Sequence, residues 1–317
     1  MKIKPCIPIQ LPPKHLDWEL IVPYLGDARE SLARYDEILC ATPAPILEIL
    51  KWEESISTMR EQNIHCKIED ALRFTFDQNI EKRRALVMQK IANAKEALDF
   101  TINWAEKKPL TLSFICRLHA ILKKDGPNPK EIGKIRKRQN WIGEQGCPIE
   151  KAYFLPPKAF LLPGLLKNWQ SYTRAKEEPL IQLAILFAQF LIIHPFMDGN
   201  GRVARHYIPA FLYKKKLLSK PFLFISPYIE KHLLQYLQKL FDISEKNDWE
   251  SWIVYFLKGI AQRSDRMRGQ VERLNELYSK VKQEEPFVHP VSFTKKKILT
   301  ENPKGLFVFE ALFEAIR

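Results

Sequence analysis

Glycine and cysteine are scarce in this chain, and long apolar runs are missing. Eleven glycines in 317 residues are too few for a turn-rich β-sandwich, and no stretch alternates apolar with polar residues as half-buried strands do. The five cysteines, at positions 6, 40, 66, 116 and 147, are odd in number, far apart and without a C-x-x-C pair, so they suggest neither a disulfide framework nor a zinc site. The longest apolar run, Leu183 to Ile193, is interrupted by Gln189 and falls short of the roughly 20 residues that cross a bilayer. It reads as a buried helix, and no membrane association is expected. Met1 to Leu11 carries Pro5, Pro8 and Gln10 where a signal peptide needs an unbroken apolar stretch, so no ordinary export signal is expected. A cytoplasmic location fits these absences, with delivery into another cell left open.

What the chain does contain is ordinary globular material, 46% hydrophobic and 27% charged, enough to bury a sizeable core. The formal net charge of +13 would suit nucleic acid or another acidic partner. Because Lys and Arg are spread over the whole chain, mostly on the polar faces of helices, the charge reads as a habit of composition. Apolar residues recur three and four apart, as in Leu25, Ala28, Leu32, Tyr35 and in Ile91, Ala94, Ala97, Leu98, which is the period of an amphipathic helix. An all-α bundle is therefore expected. Three parts are expected: an N-terminal helical region over 1–105, a core domain over 106–262 and a helical tail over 263–317. One exception to the helical pattern lies between Gly143 and Pro156, whose turn-rich start and aromatic end predict a short β-hairpin at the surface.

Residues 194 to 205 read His-Pro-Phe-Met-Asp-Gly-Asn-Gly-Arg-Val-Ala-Arg. Pro195 disfavours helix in the residue before it, which ends the preceding helix near His194. Gly199 and Gly201 permit positive φ and remove side-chain bulk, so backbone N–H groups can turn inward around an anion. A helix starting near Arg202 adds its positive end to the same place. Asp198 offers a hard oxygen for Mg²⁺, while Arg202 and Arg205 share a helical face from which both can grip phosphate. His194, with an ordinary pKa near neutrality, is suited to take a proton from an attacking hydroxyl.

This segment resembles the signature of Fic (filamentation induced by cAMP) proteins at every defined position. The resemblance implies a Fic-type helical bundle that takes AMP from Mg-ATP and attaches it to a Ser, Thr or Tyr hydroxyl of a target protein. His194 would then be the base and Asp198 the Mg²⁺ ligand. Gly199, Asn200, Gly201 and Arg202 would hold the phosphates, with Arg205 on the γ-phosphate and Phe196 as a buried anchor of the loop. Outside the motif the resemblance is looser, covering roughly residues 11 to 260. Gly133-Lys-Ile-Arg-Lys-Arg-Gln-Asn-Trp-Ile-Gly143 resembles the family stretch that leads into the flap and Ala152-Tyr-Phe-Leu-Pro-Pro157 the flap's second strand; in relatives the flap pairs with the target by strand addition. By that likeness Tyr153, Phe154 and Leu155 would register the acceptor. Tyr236 and Asp248-Trp-Glu-Ser-Trp-Ile-Val-Tyr-Phe-Leu257 resemble the end of the family core, where an aromatic ring encloses adenine, although Leu237 stands where relatives often have a second tyrosine. Ser57-Thr-Met-Arg-Glu61 looks like the family's autoinhibitory helix motif, in which Glu61 would pair with Arg205 and occupy the γ-phosphate subsite; Gln62 stands where relatives have Gly or Asn.

Other readings stay open at this level. Glu61 could instead position a water for removing AMP from modified proteins. A DNA-binding regulator would use the positive charge, but Pro286 to Arg317 is too short for a complete winged helix, leaving such a module truncated or replaced. The target protein and the presence of a homo-oligomer are not legible.

Overall fold

The computed structural model describes residues 4–60, 64–67, 71, 82–144 and 146–284. Among these the regular structure is helical, with one isolated β-bridge and no sheet. Helix α1 spans Trp18–Ala41, α2 Ala44–Arg60, α3 Lys82–Lys107, α4 Leu112–Leu122, α5 Leu162–Tyr172, α6 Pro179–Ile193, α7 Asn200–Lys214, α8 Ser226–Lys231, α9 Leu233–Lys246 and α10 Trp249–Glu284. Helix α10 passes residue 262 without interruption, and Arg263, Met267, Val271 and Leu274 beyond it are buried. Residues 285–317, the rest of the expected tail, lie outside the described residues, as does Glu61.

Helix α6 is the axis of the bundle. Every residue from Leu180 to Ile193 is buried, as expected of a helix apolar on all sides. It starts at an N-cap, Glu178, whose carboxylate accepts the Ile181 N–H at 2.9 Å, and Pro179 at the first position loses no useful donor. Two buried indoles clasp it: Trp169 on α5 donates to Leu186 O and Trp252 on α10 donates to Ala184 O, both at 2.8 Å. These contacts fix α6 in rotation and height, so its C-terminal end delivers His194 to a set place. Helix α7 packs back against α6, α3 and α4, and α1 lies along α10, while Tyr35 Oη on α1 donates to Phe222 O in the segment before α8 at 2.6 Å.

The expected hairpin is reduced to a single antiparallel bridge between Ile142 and Phe154. Ile142 N–H donates to Phe154 O at 3.0 Å, and Ile142 O accepts from the N–H groups of Tyr153 and Phe154 at 2.8 and 3.1 Å. Among the described residues no ladder extends from it, because Pro148 and Pro156 cannot donate and Ile149–Lys151 wind into a 3₁₀ turn.

Candidate active site

The turn between α6 and α7 is built from its own backbone outward. His194 caps α6 in the left-handed region (φ 50, ψ 61), a conformation rare for a residue with a Cβ, and several donors hold it there. Arg136 is the chief of them. Its Nε donates to His194 O at 2.9 Å and its Nη2 to Pro157 O at 2.5 Å and Ile193 O at 3.4 Å, while Nη1 reaches Arg138 O at 3.1 Å. The Arg136 backbone N–H adds a bond to Pro195 O at 2.9 Å. This guanidinium meets only carbonyls and is buried, and burial lowers its pKa to about 10, leaving it charged at neutral pH.

Asn200 knots the turn. Its Oδ1 accepts the Phe196 N–H and its Nδ2 donates to Phe196 O, both at 2.9 Å; Asn140 Nδ2 reaches the same carbonyl at 2.9 Å. The Asn200 side chain is spent on loop closure, so only its backbone can serve an anion. Phe196 is fully buried and stacks on His119, with ring centroids 3.9 Å apart. His119 in turn spans the turn and the segment before the bridge. Its Nδ1 accepts the Gly133 N–H at 2.9 Å, and its Nε2 lies 3.0 Å from Asp198 O. A carbonyl can only accept, so Nε2 carries the proton and the ring is neutral. Burial agrees with that assignment, depressing the pKa of His119 to about 4.

Of the two glycines expected at positive φ, only Gly199 adopts it (φ 81). Gly201 is already helical, one residue into α7, and its missing side chain opens the wall of the adjoining cleft. Helix α7 therefore begins at Asn200, earlier than expected. Its N-cap, Gly199, makes no side-chain capping bond, which suits a helix end complemented by an external anion. Asp198 Oδ1 accepts the Gly199 N–H at 2.6 Å, Oδ2 is ion-paired with Lys123, and Arg202 Nη2 lies 3.8 Å away. Partial desolvation against the turn opposes the charged carboxylate, but the Lys123 and Arg202 charges and the Gly199 N–H outweigh it and hold the carboxyl below its usual range.

Arg202 and Arg205 are both buried. Arg205 reaches α2, donating from Nε to Thr58 Oγ1 at 3.1 Å and from Nη2 to Thr58 Oγ1 and Thr58 O at 2.9 and 3.2 Å. Ser57 beside it is buried as well. Glu54, one turn earlier on α2, is buried and bonded to the Ser226 hydroxyl. Burial raises its pKa to about 7, although Ser226, Arg205 and Arg263 pull the other way.

A cleft of about 450 Å³ opens beside this turn, lined by His194, Gly201, Tyr236, Leu237, Ile142, Tyr153 and Phe154 among others. His194 Nδ1 lies 3.1 Å from Leu191 O, so Nδ1 is the donor in that bond and Nε2 is left as the acceptor. Tyr236 is buried, edge-on to Phe187 at 6.4 Å and 5.9 Å from Trp252. Tyr153 is 61% exposed and donates its hydroxyl to Glu144 Oε1 at 2.7 Å, while Phe154 is half-buried. Leu155 departs from the expectation that it faces a target. Its side chain is buried and its carbonyl accepts the Cys6 N–H at 2.8 Å, which makes it a packing residue.

Among the described residues no cluster of three or more His, Cys, Asp or Glu could hold a metal by itself. A lone carboxylate, with its side chain 61% exposed, fits an ion that takes most of its ligands from a triphosphate and water. Sequence reasoning missed His119 and Lys123, and saw Thr58, Arg136 and Asn140 only as parts of stretches. Among the described residues no helix is long and apolar enough to cross a membrane.

Residues 109–212 match the Fic/DOC family model. Over 73 residues the chain is 37% identical to a probable protein adenylyltransferase of Aquifex aeolicus, which covers 22% of this chain and 23% of that protein. Over 78 residues it is 38% identical to a protein adenylyltransferase of Caenorhabditis briggsae, covering 25% of this chain and 14% of that protein. The chain thus spans less than a quarter of the length of either relative. The fold is similar to that of a Fic family protein from Desulfovibrio desulfuricans, with TM-score 0.66, 20% identity and coverage of 89% of this chain and 88% of that one. It is also similar to a Fic domain containing signaling protein from Bacteroides thetaiotaomicron, with TM-score 0.61, 17% identity and coverage of 77% and 95%.

Proposed function

We propose that this chain, whose residues 109–212 match the Fic/DOC family model, is a Fic-family protein adenylyltransferase that moves AMP from ATP to a hydroxyl of a target protein. The observation that carries the reading is one turn. It carries an imidazole whose Nδ1 donates to Leu191 O, a helix N-terminus with no side-chain cap and the buried Arg202, with His194 and Gly201 lining one cleft.

In the reaction the hydroxyl oxygen attacks the α-phosphorus, the bond from that phosphorus to the bridging oxygen of the β-phosphate breaks, and pyrophosphate leaves. His194 Nε2 accepts the hydroxyl proton, while Nδ1–H stays on Leu191 O and fixes the ring's tautomer. Arg202 and the first-turn N–H groups of α7 offset charge gathering on the phosphates, and because Asn200, Arg136 and Asn140 already hold the loop, little reorganisation is required. Asp198 is the residue that would hold Mg²⁺, which when bound neutralises part of the triphosphate charge. Tyr236 walls the adenine end of the cleft. Tyr153 and Phe154 face the acceptor, whose main chain would add beside the Ile142–Phe154 bridge as on a flap.

Autoinhibition by α2 is part of the reading. Its support is that Thr58, three residues before Glu61, already grips Arg205; Glu61 on the same arginine would fill the γ-phosphate subsite with negative charge. Two variants test the scheme. His194→Ala should abolish label transfer from ATP to protein while leaving the melting temperature unchanged, and residual transfer at the parent rate would refute the base assignment. Glu61→Gly should raise auto-modification, and an unchanged or lower rate would remove α2 as an inhibitor.

A further inference from the structure

We propose that Lys123 is a further nucleotide-binding residue, resting on the adenylyltransferase reading above: its ammonium stands on Asp198 in the free protein and turns to the triphosphate when a divalent cation takes that carboxylate. Lys123 is the C-cap of α4, so its side chain leaves the helix end directly toward the 194–202 turn, although the two lie far apart in sequence. Its stem rests on the turn itself. A Cβ built on Gly199 would sit 3.5 and 3.6 Å from Lys123 Cδ and Cγ. The ammonium pairs with Asp198 Oδ2, and the lysine side chain is 19% exposed against 61% for the aspartate. A cation arriving from solvent can therefore reach the carboxylate while the ammonium stays largely covered.

The consequence follows from charge. His119, one turn earlier on α4, is held neutral, so at the turn α4 contributes one structural ring and one positive charge. Once a metal ion takes Asp198, the two cations repel each other, and a largely covered ammonium without an anion is costly. The nearest arriving anion is the triphosphate bound to that same metal, and the flexible lysine stem lets the ammonium swing to it as a compact point charge. Lys123 thus keeps Asp198 in place before binding and adds to phosphate affinity afterward.

Calorimetric titration of ATP into the full chain tests this, once with Mg²⁺ and once with EDTA. Lys123→Met keeps the stem against Gly199 and removes the charge. ATP affinity should fall about tenfold with Mg²⁺, equivalent to about 1.4 kcal/mol, and more steeply in EDTA, where Asp198 is left uncompensated against the phosphates. Lys123→Arg should stay within about threefold of the parent, the change expected when the charge is kept. A loss below about twofold with Mg²⁺, a loss no steeper in EDTA, or an arginine variant as weak as the methionine one overturns the proposal. Thermal unfolding is measured first, and Lys123→Gln replaces the methionine variant if the latter melts early. The same titrations are run in the Glu61→Gly background, which removes the proposed inhibitory carboxylate, and failure of that chain to bind ATP under either condition would instead sink the adenylyltransferase reading.

Discussion

Replacing Arg136 by methionine should do damage at the site and in the fold together, because one guanidinium serves both. Its two shortest side-chain bonds run to Pro157 O at 2.5 Å and His194 O at 2.9 Å. Hydrogen bonds to a charged partner contribute about 1.5–3 kcal/mol each, so losing these two should cost about 3–6 kcal/mol. Methionine fills similar space but offers no donor, leaving the carbonyls at the end of α6 uncompensated, and His194 loses the contact that holds its left-handed backbone. A cost of that size is a large part of the roughly 5–15 kcal/mol that stabilises a typical domain. Urea unfolding should show the midpoint falling steeply for Arg136→Met. Arg136→Lys, able to make some of the bonds, should fall between it and the parent. In the same preparations, below the unfolding transition, kcat for AMP transfer should fall more than KM for ATP rises, since the imidazole is displaced while Arg202 and α7 remain. An unchanged urea midpoint together with an unchanged kcat would refute the positioning argument.

Glu54 gives a pH-dependent prediction. Its carboxyl titrates near 4.5 when unshifted and near 7 in the folded protein. The folded state therefore binds more protons between those values, and stability is lost as pH rises from about 4.5 through about 7, by up to about 3 kcal/mol. Glu54→Gln should accordingly raise the melting temperature at pH 8 relative to the parent and change it little at pH 4, and a larger gain at pH 4 would contradict the sign. Gly199→Ala should destabilise the chain by about 1–2 kcal/mol, because alanine pays for the left-handed conformation that glycine adopts freely. The space there is ordinary, with the nearest atoms 3.5 Å from the new Cβ, so an unfolded variant would show that a steric effect had been missed. Asn200→Asp keeps the acceptor for Phe196 N–H but loses the donor to Phe196 O; ATP affinity measured by calorimetry should fall, and retention of full affinity would show that the knot is dispensable.

The helical class was legible because the periodicity of Ala28, Leu32 and Tyr35, or of Ile91, Ala94 and Ala97, is a local property that tertiary packing only confirms; all six are buried. The turn was legible for the same reason, since Pro195 and Gly199 punctuate the chain whatever surrounds them. The partners of that turn were not. Thr58, His119 and Arg136 come to it from separate segments, and nothing in their own neighbourhoods distinguishes them from surface polar residues. Spacing pointed to Ser57 and Glu61, and Thr58 between them, which accepts from Arg205, was not singled out because a threonine inside a helix carries no local signal. The hairpin was over-read because the aromatic, extended end of the segment carries a strand signal while Pro148 and Pro156 limit how many rungs can form.

The account stands or falls on which part of ATP ends up on protein. With the Glu61→Gly chain and a lysate, ATP labelled at the α-phosphorus should leave label on protein that His194→Ala abolishes, while ATP labelled at the γ-phosphorus should leave no label that depends on His194 above that placed by kinases of the lysate. His194-dependent transfer of the γ-label, or of neither label, would contradict AMP transfer at this turn.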